Sequence, residues 1–292
     1  MRTVRTISEL RPVMSGERAT GRSIGLVPTM GAVHEGHLSL IRRAREACDV
    51  VVVSLFVNPT QFAAGEDLDA YPRDERRDAE LAADAGTDVL FVPTAAEIYP
   101  EGFATTVQVA GLTEVLEGAS RGREHFRGVT TVVAKLFNLV GPDVAFFGRK
   151  DAQQALVVAR MARDLDFQVR IEVCPTVREP DGLALSSRNA YLRPPERRRA
   201  VALHRALVAA ERSVAEGERD AAAVARAARA AMEPYGIEPE YLELVSPDTL
   251  SPVATIDGET LLAVAARIGA ARLIDNTIVR PGRAPSNGRT ST

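Results

Sequence analysis

Two histidines three residues apart, His34 and His37, are the first side chains in this sequence whose spacing suggests chemistry. They lie in Pro28–His37, where an apolar run ends, a glycine-containing turn follows and a helix is predicted to begin near Gly36. A helix start presents free backbone N–H groups and a positive dipole end to an anion, and imidazoles there can stabilise charge during a transfer reaction. The segment therefore predicts a phosphate site. The alternative is a pair of ordinary surface histidines in a loop.

A metal site is a competing interpretation of the same segment. The zinc motif His-Glu-x-x-His places its histidines four apart, whereas the spacing here is three, and no compact set of cysteines and histidines supplies further ligands. The acidic run in Tyr71–Asp78 is either a solvated helix face or a source of Mg²⁺ ligands. The sequence itself names no ligand for a metal ion.

Lysine is scarce in this chain, which gives weight to a second segment, Phe146–Gln154. Of 36 basic residues only Lys135 and Lys150 are lysines, and the ammonium of Lys150 suits a phosphate. Gly148 precedes it, and Asp151 follows at a predicted helix start. This arrangement predicts a second wall of a phosphate site. The alternative is a turn in which Asp151 only caps the helix.

Two further segments carry polar groups that suit ligands. Asp181–Asn189 combines a turn with two hydroxyls and an arginine, a dense set of donors for a polyphosphate. Val57–Phe62 follows an apolar strand, and its neutral amides, Asn58 and Gln61, suit a hydroxyl or carboxylate. The alternatives are a polar linker for the first segment and an exposed Asn-Pro turn for the second.

The elements that must position these groups alternate in type along residues 1–175, the predicted first domain. Strands are predicted at Ser23–Val27, Val50–Val57, Asp88–Val92, Val144–Phe147 and Gln168–Val173, with helices at 36–47, 74–85, 127–140 and 151–165. This alternation predicts an α/β fold with a parallel sheet covered on both faces. Ligands of such sheets lie outside the carboxyl ends of the strands.

Residues 176–280 show a different pattern and predict a smaller α+β domain. Helices are predicted at 194–216 and 220–232, followed by strands at Tyr241–Val245, Thr260–Ile268 and Ala271–Ile278. Residues 281–292 are rich in Pro, Gly, Ser, Arg and Thr, and predict a disordered tail.

Composition limits the class of protein. The 292 residues carry a net charge of −3, which gives no electrostatic reason to expect nucleic acid or an anionic membrane as a partner. No apolar run approaches the ~20 residues of a membrane span, and the first residues do not resemble a signal peptide. Two cysteines far apart in sequence fit a reducing interior. We expect a cytoplasmic protein.

Taken together and in this order, the four segments resemble the motifs of the pantothenate synthetases (pantoate–β-alanine ligases) over about residues 1–280. The matching stretches are Pro-Thr-Met-Gly-Ala-Val-His-Glu-Gly-His, Val-Asn-Pro-Thr-Gln-Phe, Phe-Gly-x-Lys-Asp-x-Gln-Gln and Asp-Gly-Leu-Ala-Leu-Ser-Ser-Arg-Asn. The resemblance implies a Rossmann-like N-terminal domain, a smaller C-terminal domain that closes over it as a lid, and a homodimer. The first and fourth stretches also resemble signatures of the wider nucleotidyltransferase superfamily.

The resemblance implies that pantoate reacts with Mg-ATP to give pantoyl adenylate and pyrophosphate, after which β-alanine displaces AMP. His37, with His34 beside it, would donate a proton or stabilise charge, and Lys150 would neutralise phosphate. Gln61 and Gln154 would hold pantoate, with Gln61 also meeting β-alanine. The residues implied to line ATP are Met30, Gly31, Ala32, Val33, His34, Glu35, Gly36, His37, Gly148, Arg149, Lys150, Asp151, Val177, Leu185, Ser186, Ser187 and Arg188.

Two departures from the family pattern and two other functions remain open. Arg149 stands where the family usually has Glu, and the loop before His125 is one residue longer and lacks proline, so either Arg121 or Arg123 takes the family arginine's place. The other functions are a different adenylyl- or cytidylyltransferase and a nucleotide-binding regulator without turnover.

Overall fold

A computed structural model describes residues 1–62, 68 and 71–281. The chain forms two compact units, one of Met1–Glu179 with Ala184–Ser187, and one of Pro180–Leu183 with the chain from Arg188 onward. Apart from Pro281, the predicted disordered tail at 281–292 lies outside the described residues.

The first unit alternates strands and helices. In chain order its elements are β1 (Arg2–Val4), α1 (Ile7–Ala19), β2 (Ile24–Thr29), α2 (Glu35–Ala47), β3 (Val50–Leu55), α3 (Glu75–Asp84), β4 (Val89–Phe91), α4 (Ala95–Ile98), α5 (Glu117–Arg121), α6 (Arg123–Val140), β5 (Val144–Gly148), α7 (Ala152–Asp164) and β6 (Arg170–Cys174). Short 3₁₀ turns follow β3 at Pro59–Gln61 and β5 at Arg149–Asp151.

The strands form one parallel sheet in the order β1-β4-β3-β2-β5-β6. From β2 the chain builds outward through β3 and β4, then returns to place β5 on the other side of β2. Neighbouring strands whose connections leave in opposite directions open a crevice at their carboxyl ends, where α/β proteins bind ligands. The predicted Rossmann-like parallel sheet is confirmed, and its crevice lies between the segments that follow β2 and β5.

Helices cover both faces of the sheet, and β3 shows why the sheet forms there. All six residues of Val50–Leu55 are buried, as a strand covered on both faces requires. Val50 and Val52 belong to the apolar cluster on one face, whereas Val51 and Val53 belong to the cluster on the other. An uninterrupted β-branched run therefore supplies apolar side chains to both layers.

Several elements differ from those predicted. β1 and α1 lie outside the predicted elements, because β1 has only three residues, two of them exposed, and α1 contains Pro12. α6 begins at Arg123 rather than at 127, which adds His125 to the helix that was predicted to contain Gly128. The earlier start matters for the site, since both residues contact the segment after β3.

The second unit is a three-stranded antiparallel sheet packed against helices. Its elements are α8 (Pro194–Arg199), α9 (Ala202–Ala215), α10 (Ala221–Ala230), β7 (Tyr241–Val245), β8 (Thr260–Ile268) and β9 (Ala271–Val279). The strands pair in the order β7-β8-β9, so the predicted α+β character is confirmed. The helix predicted at 194–216 is wrong in one respect, because it divides into α8 and α9 near Ala200. Within the described residues, none of the helices has the length and apolarity needed to cross a membrane.

Candidate active site

The segment between β2 and α2 carries the two histidines. His34 is the N-cap of α2, and its Nδ1 accepts a hydrogen bond from Gly36 N–H at 3.1 Å. His37 lies in the first turn, and its Nδ1 accepts a longer one of 3.4 Å from His34 N–H. The ring centroids are 4.1 Å apart at an interplanar angle of 32°. Because both Nδ1 atoms accept, each neutral ring carries its proton on Nε2.

Burial keeps both rings neutral near physiological pH. It lowers the pKa of His34 from 6.5 to about 4, with a further lowering by Lys150 and an opposing effect of Asp151. It lowers the pKa of His37 to about 3, assisted by the neighbouring His34. Each ring is therefore a neutral Nε2–H donor in the free protein, which suits charge stabilisation better than proton donation from an imidazolium.

Several backbone N–H groups of this segment already have acceptors within the protein. Gly31 N–H donates to Thr29 Oγ1 at 2.7 Å, and the N–H groups of Ala32 and Val33 donate to the carboxylate of Asp78 at 2.9 and 2.8 Å. The N–H groups of His34 and Gly36 are taken up by the two imidazoles, as described above. These amides are therefore already engaged. Among the described residues, no protein acceptor takes the N–H groups of Met30 and Glu35, so the segment offers an anion these two amides and the imidazole Nε2–H groups.

The segment after β5 brings charge close to these rings. Lys150 and Asp151 both act electrostatically on His34 and His37, and Lys150 Nζ lies 3.3 Å from Asp151 Oδ1. Around Gly148, no described atom lies within 4 Å of the position where a Cβ would stand. The sheet thus places a half-buried lysine and an open glycine position at the crevice, close enough to the imidazoles for Lys150 to act on them electrostatically.

Gln61 is fixed at the carboxyl end of β3 by a buried asparagine. Asn58 Nδ2 donates to Gln61 Oε1 and to the carbonyl of Gly128, both at 3.1 Å. Asn58 Oδ1 accepts from Thr60 Oγ1 at 2.9 Å and from Tyr99 OH at 2.8 Å. Asn58 is only 1% exposed. Its amide is saturated by protein groups, so we revise its predicted role from substrate contact to support of Gln61.

The remaining side-chain donor of Gln61 has a weak acceptor. Gln61 Nε2 donates to the thioether of Met30 at 2.7 Å. Sulfur is a poorer acceptor than oxygen, so a ligand carboxylate or hydroxyl can take this donor at little cost. Gln61 is 8% exposed. This geometry suits it to a small polar ligand beside Met30.

Helix α6 contacts the backbone of Gln61 and holds it in place. His125 Nδ1 lies 2.7 Å from the backbone carbonyl of Gln61, and His125 Nε2 lies 2.9 Å from Arg121 Nη1. A guanidinium only donates, so Nε2 of His125 accepts from Arg121. The ring proton is then on Nδ1, and this N–H donates to the backbone carbonyl of Gln61. Gly128 permits the close packing, because a Cβ there would lie 2.7 Å from Gln61 N.

The two adjacent glutamines of α7 face different partners. The buried side chain of Gln153 donates to the carbonyls of Leu112 and Val115 at 2.7 and 2.8 Å and accepts from Glu117 N–H at 2.9 Å. It therefore holds the chain that leads into α5. Gln154 is half-buried, and among the described residues its side chain makes no hydrogen bond to protein. Of the pair, Gln154 is the one available to a ligand.

The family model described as pantoate-beta-alanine ligase matches residues 2–278 of this chain. The chain belongs to the pantoate–β-alanine ligase family. Pantothenate synthetase from Moorella thermoacetica is 55% identical over 280 residues, which cover 96% of this chain and 99% of that protein. The enzyme from Heliobacterium modesticaldum is also 55% identical, over 283 residues.

Solved structures agree with this membership in the pantoate–β-alanine ligase family. The crystal structure of pantothenate synthetase from Thermus thermophilus has a TM-score of 0.92 at 50% identity and covers 96% of this chain and 100% of its own. That of the ligase from Francisella tularensis, complexed with beta-gamma ATP and beta-alanine, has a TM-score of 0.80 at 33% identity, covering 95% and 97%. This chain is accordingly an enzyme of that family.

The third ATP segment predicted for this ligase is divided between the two units. Leu185 N–H donates to the carbonyl of Val177 at 3.0 Å, and Ser187 Oγ lies 3.3 Å from Tyr71 OH. These residues belong to the first unit, as does Ser186, whereas Arg188 belongs to the second. The roles of Ser186 and Arg188 at ATP, and of the second unit as a lid, stay predictions.

The two departures from the family pattern can now be located. Arg149 is exposed. Burial raises the pKa of the Cys174 thiol, and the charge of Arg149 opposes that rise. Arg121 is the half-buried arginine that contacts His125, whereas Arg123 is exposed and lies 3.5 Å from Glu114. Arg121 is therefore the better candidate for the family arginine.

Several positioning residues of this ligase were not recognised in the sequence. The carboxylate of Asp78 was assigned to a solvated face or a magnesium site, yet it is 3% exposed and holds the loop before His34. Gly128 is a second such residue, and the sequence carried only a weak signal for it. It follows His125 by three residues, a spacing that places both on the same face of one helix, and both lie against Gln61.

In the described residues, no group of three or more His, Cys, Asp or Glu side chains could hold a metal ion.

Proposed function

We propose that this enzyme condenses pantoate with β-alanine, using ATP and a pantoyl-adenylate intermediate, and releases AMP and pyrophosphate. The observation that carries the proposal is the pair of neutral Nε2–H imidazoles, His34 and His37, placed with Lys150 at the crevice beside β2 and β5. The Francisella relative, complexed with an ATP compound and β-alanine, supports the same two ligands here.

The polyphosphate would lie against the start of α2. The Nε2–H groups of His34 and His37 donate to phosphate oxygens, and the Lys150 ammonium adds a full positive charge. Such donors contribute most when they meet charge that develops in the transition state. Mg²⁺ enters with ATP as the Mg-ATP substrate, held through phosphate oxygens. The ATP contacts predicted for Met30 to His37 and for Gly148 to Asp151 fit this placement.

Pantoate would lie on Gln61 and Gln154. Gln61 Nε2 exchanges the Met30 thioether for a pantoate oxygen, while Asn58 and the backbone contact from His125 keep the side chain in place. Gln154 offers an amide that makes no hydrogen bond to the described protein. A fixed carboxylate beside the α-phosphorus supplies the proximity that a bimolecular displacement needs.

The chemistry balances in two displacements. A pantoate carboxylate oxygen forms a bond to the α-phosphorus as the bond from that phosphorus to the β-phosphate oxygen breaks, and pyrophosphate leaves with the electron pair. The β-alanine amine then attacks the acyl carbon, the bond to the AMP oxygen breaks, and the amine loses a proton. His37, being neutral, stabilises charge in the first step and supplies no proton to the leaving group.

The test follows the carboxylate oxygen. With ATP and pantoate labelled with ¹⁸O in its carboxylate, we expect pyrophosphate from the first half-reaction without β-alanine. With β-alanine added, AMP appears and carries one ¹⁸O, since the oxygen bonded to phosphorus stays with AMP when the acyl bond breaks. Mass spectrometry of AMP reads the label.

Each other outcome has a distinct meaning. AMP formed without either acid, or AMP without label, would contradict the adenylate route. Transfer of AMP to a different acceptor would favour another nucleotidyltransferase. ATP binding with no release of pyrophosphate under any combination of acids would favour a regulator without turnover.

A further inference from the structure

The loop between β2 and α2 has an unusual backbone. Gly31 has a φ of +91° and Ala32 a φ of +50°. Left-handed values are costly for a residue with a Cβ, by about 1 kcal/mol or more, so neighbouring contacts must hold Ala32 in this conformation. His34 follows two residues later, and the loop therefore sets where both imidazoles point.

A buried carboxylate holds that loop. Asp78 Oδ2 accepts from Ala32 N–H at 2.9 Å, and Asp78 Oδ1 accepts from Val33 N–H at 2.8 Å. Asp78 comes from α3, 46 residues along the chain, and is 3% exposed. Burial raises the pKa of Asp78, and the two N–H donors oppose that rise. Both oxygens accept at once, one from each loop amide.

The close fit of Gly31 supports the same arrangement. A Cβ at Gly31 would lie 2.9 Å from Asp78 Oδ2 and 2.9 Å from Leu55 Cδ1. The carboxylate thus occupies the space beneath the turn, and the turn has a glycine where a side chain would push it away. The Asp78 carboxylate and the loop Gly31–Val33 therefore form one packed unit.

We propose that Asp78 is a positioning residue for adenylation, which fixes the loop Gly31–Val33 so that His34 and His37 aim their Nε2–H groups at the phosphates. The inference rests on the proposed function of those histidines. Asp78 acts only through its hydrogen bonds to the loop N–H groups and does not contact the substrate.

The test compares Asp78→Asn with Asp74→Ala. Asn has the same shape, but its NH₂ group would face one of the two N–H donors. Asp74 caps α3 through Arg77 N–H at 3.1 Å, four residues before Asp78 on the same helix, so its loss weakens α3 without touching the loop. Gly31→Ala disturbs the carboxylate from the opposite side and leaves Asp78 itself unchanged.

Two measurements are made on each protein. Amide hydrogen exchange of ligand-free protein, followed in peptides that cover residues 30–34, should be about tenfold faster or more in Asp78→Asn and Gly31→Ala than in wild type. Single-turnover pyrophosphate formation at saturating ATP and pantoate should be about 10- to 100-fold slower in both. The KM for β-alanine should be unchanged. Asp74→Ala should lower the Tm and leave both measurements as in wild type.

Failure of this inference and failure of the proposed function would give different results. Wild-type exchange and turnover in Asp78→Asn would overturn the inference, as would equal losses in Asp74→Ala. The double variant Asp78→Asn/Gly31→Ala should form pyrophosphate no more slowly than the slower of the two single variants, since both substitutions act on the same packed contact. Fully additive losses of rate would count against the inference. A wild-type enzyme that forms no pyrophosphate from ATP and pantoate would refute the proposed function, and the exchange data would still decide whether Asp78 holds the loop.

Discussion

His125 Nδ1 donates to the backbone carbonyl of Gln61 across 2.7 Å, and this bond joins α6 to the segment that follows β3. The proton is on Nδ1 because Arg121 occupies the other ring nitrogen as a donor at 2.9 Å. His125 is 6% exposed. A buried neutral imidazole therefore connects an arginine to the residue proposed to hold pantoate.

His125→Ala should weaken pantoate binding. Removing the donor leaves the Gln61 carbonyl without its partner, and the loss of such a buried bond costs about 1–3 kcal/mol. We expect the KM for pantoate to rise about tenfold with the KM for ATP nearly unchanged. His125→Asn places an amide N–H near the Nδ1 position and should recover part of the loss. Steady-state kinetics with each substrate varied in turn checks this, and equal defects in the two variants would contradict it.

Gly128→Ala should displace Gln61 by steric contact. An added Cβ would lie 2.7 Å from Gln61 N and meet the Thr60 carbonyl, both of which are backbone groups that cannot rotate away. We expect the KM for pantoate to rise about tenfold or more, because a displacement of about 1 Å is costly in a site of this kind. Gly16→Ala is the matched control, since nothing lies within 4 Å of a Cβ there. It should retain activity and gain up to about 1 kcal/mol of helix stability. Unchanged pantoate kinetics in Gly128→Ala would refute the packing argument.

His37→Ala and His37→Gln should differ if His37 acts as a neutral donor. A glutamine amide can place an N–H near the position of Nε2, whereas alanine offers none. We expect kcat to fall about 100- to 1000-fold in the alanine variant and within about tenfold in the glutamine variant. The KM for ATP should change little in either. A glutamine variant as inactive as alanine would instead indicate that His37 transfers a proton.

The two histidines should make stability depend on pH below neutrality. Their pKa values fall from 6.5 to about 4 for His34 and about 3 for His37, so the folded state binds fewer protons than the unfolded chain. This stability is fully present above about pH 6.5 and decreases as pH falls from 6.5 through 4 and 3. Urea unfolding at about pH 7.5 and about pH 5 measures the loss. A His34→Asn/His37→Asn double variant keeps a capping side chain and should lose less, and an equal loss would contradict the assignment.

Gln61→Ala should weaken pantoate binding strongly while ATP binding is largely kept. Gln61 Nε2 is the proposed donor to pantoate, and losing one hydrogen bond to a carboxylate corresponds to about 1.5–3 kcal/mol, or roughly 10- to 100-fold in affinity. Gln153→Ala is an informative comparison, because its amide binds three backbone groups and should lower the Tm instead. Calorimetric titration with pantoate and with ATP separates the two effects. Unchanged pantoate affinity in Gln61→Ala would remove Gln61 from the substrate site.

The sequence by itself determined the chemical groups and the order of the elements that carry them. The paired histidines, Lys150 and the glutamines were visible as types and spacings, and the alternation of strands and helices predicted a parallel sheet with its ligands at the strand ends. The prediction of the sheet is confirmed because the periodicity of apolar residues is a local property of the sequence. The roles of the site residues stay predictions.

The tertiary structure decided which groups are donors and what holds them. The N–H groups of Ala32 and Val33 are bonded to Asp78, which lies 46 and 45 residues farther along the chain. Gln61 is fixed by His125 and by Asn58, whose amide reaches Gly128 across 70 residues. Partners so distant are set by strand order and helix packing, which no local pattern encodes. Burial, in turn, sets the protonation state of His37, and burial exists only once the sheet and its helices have assembled.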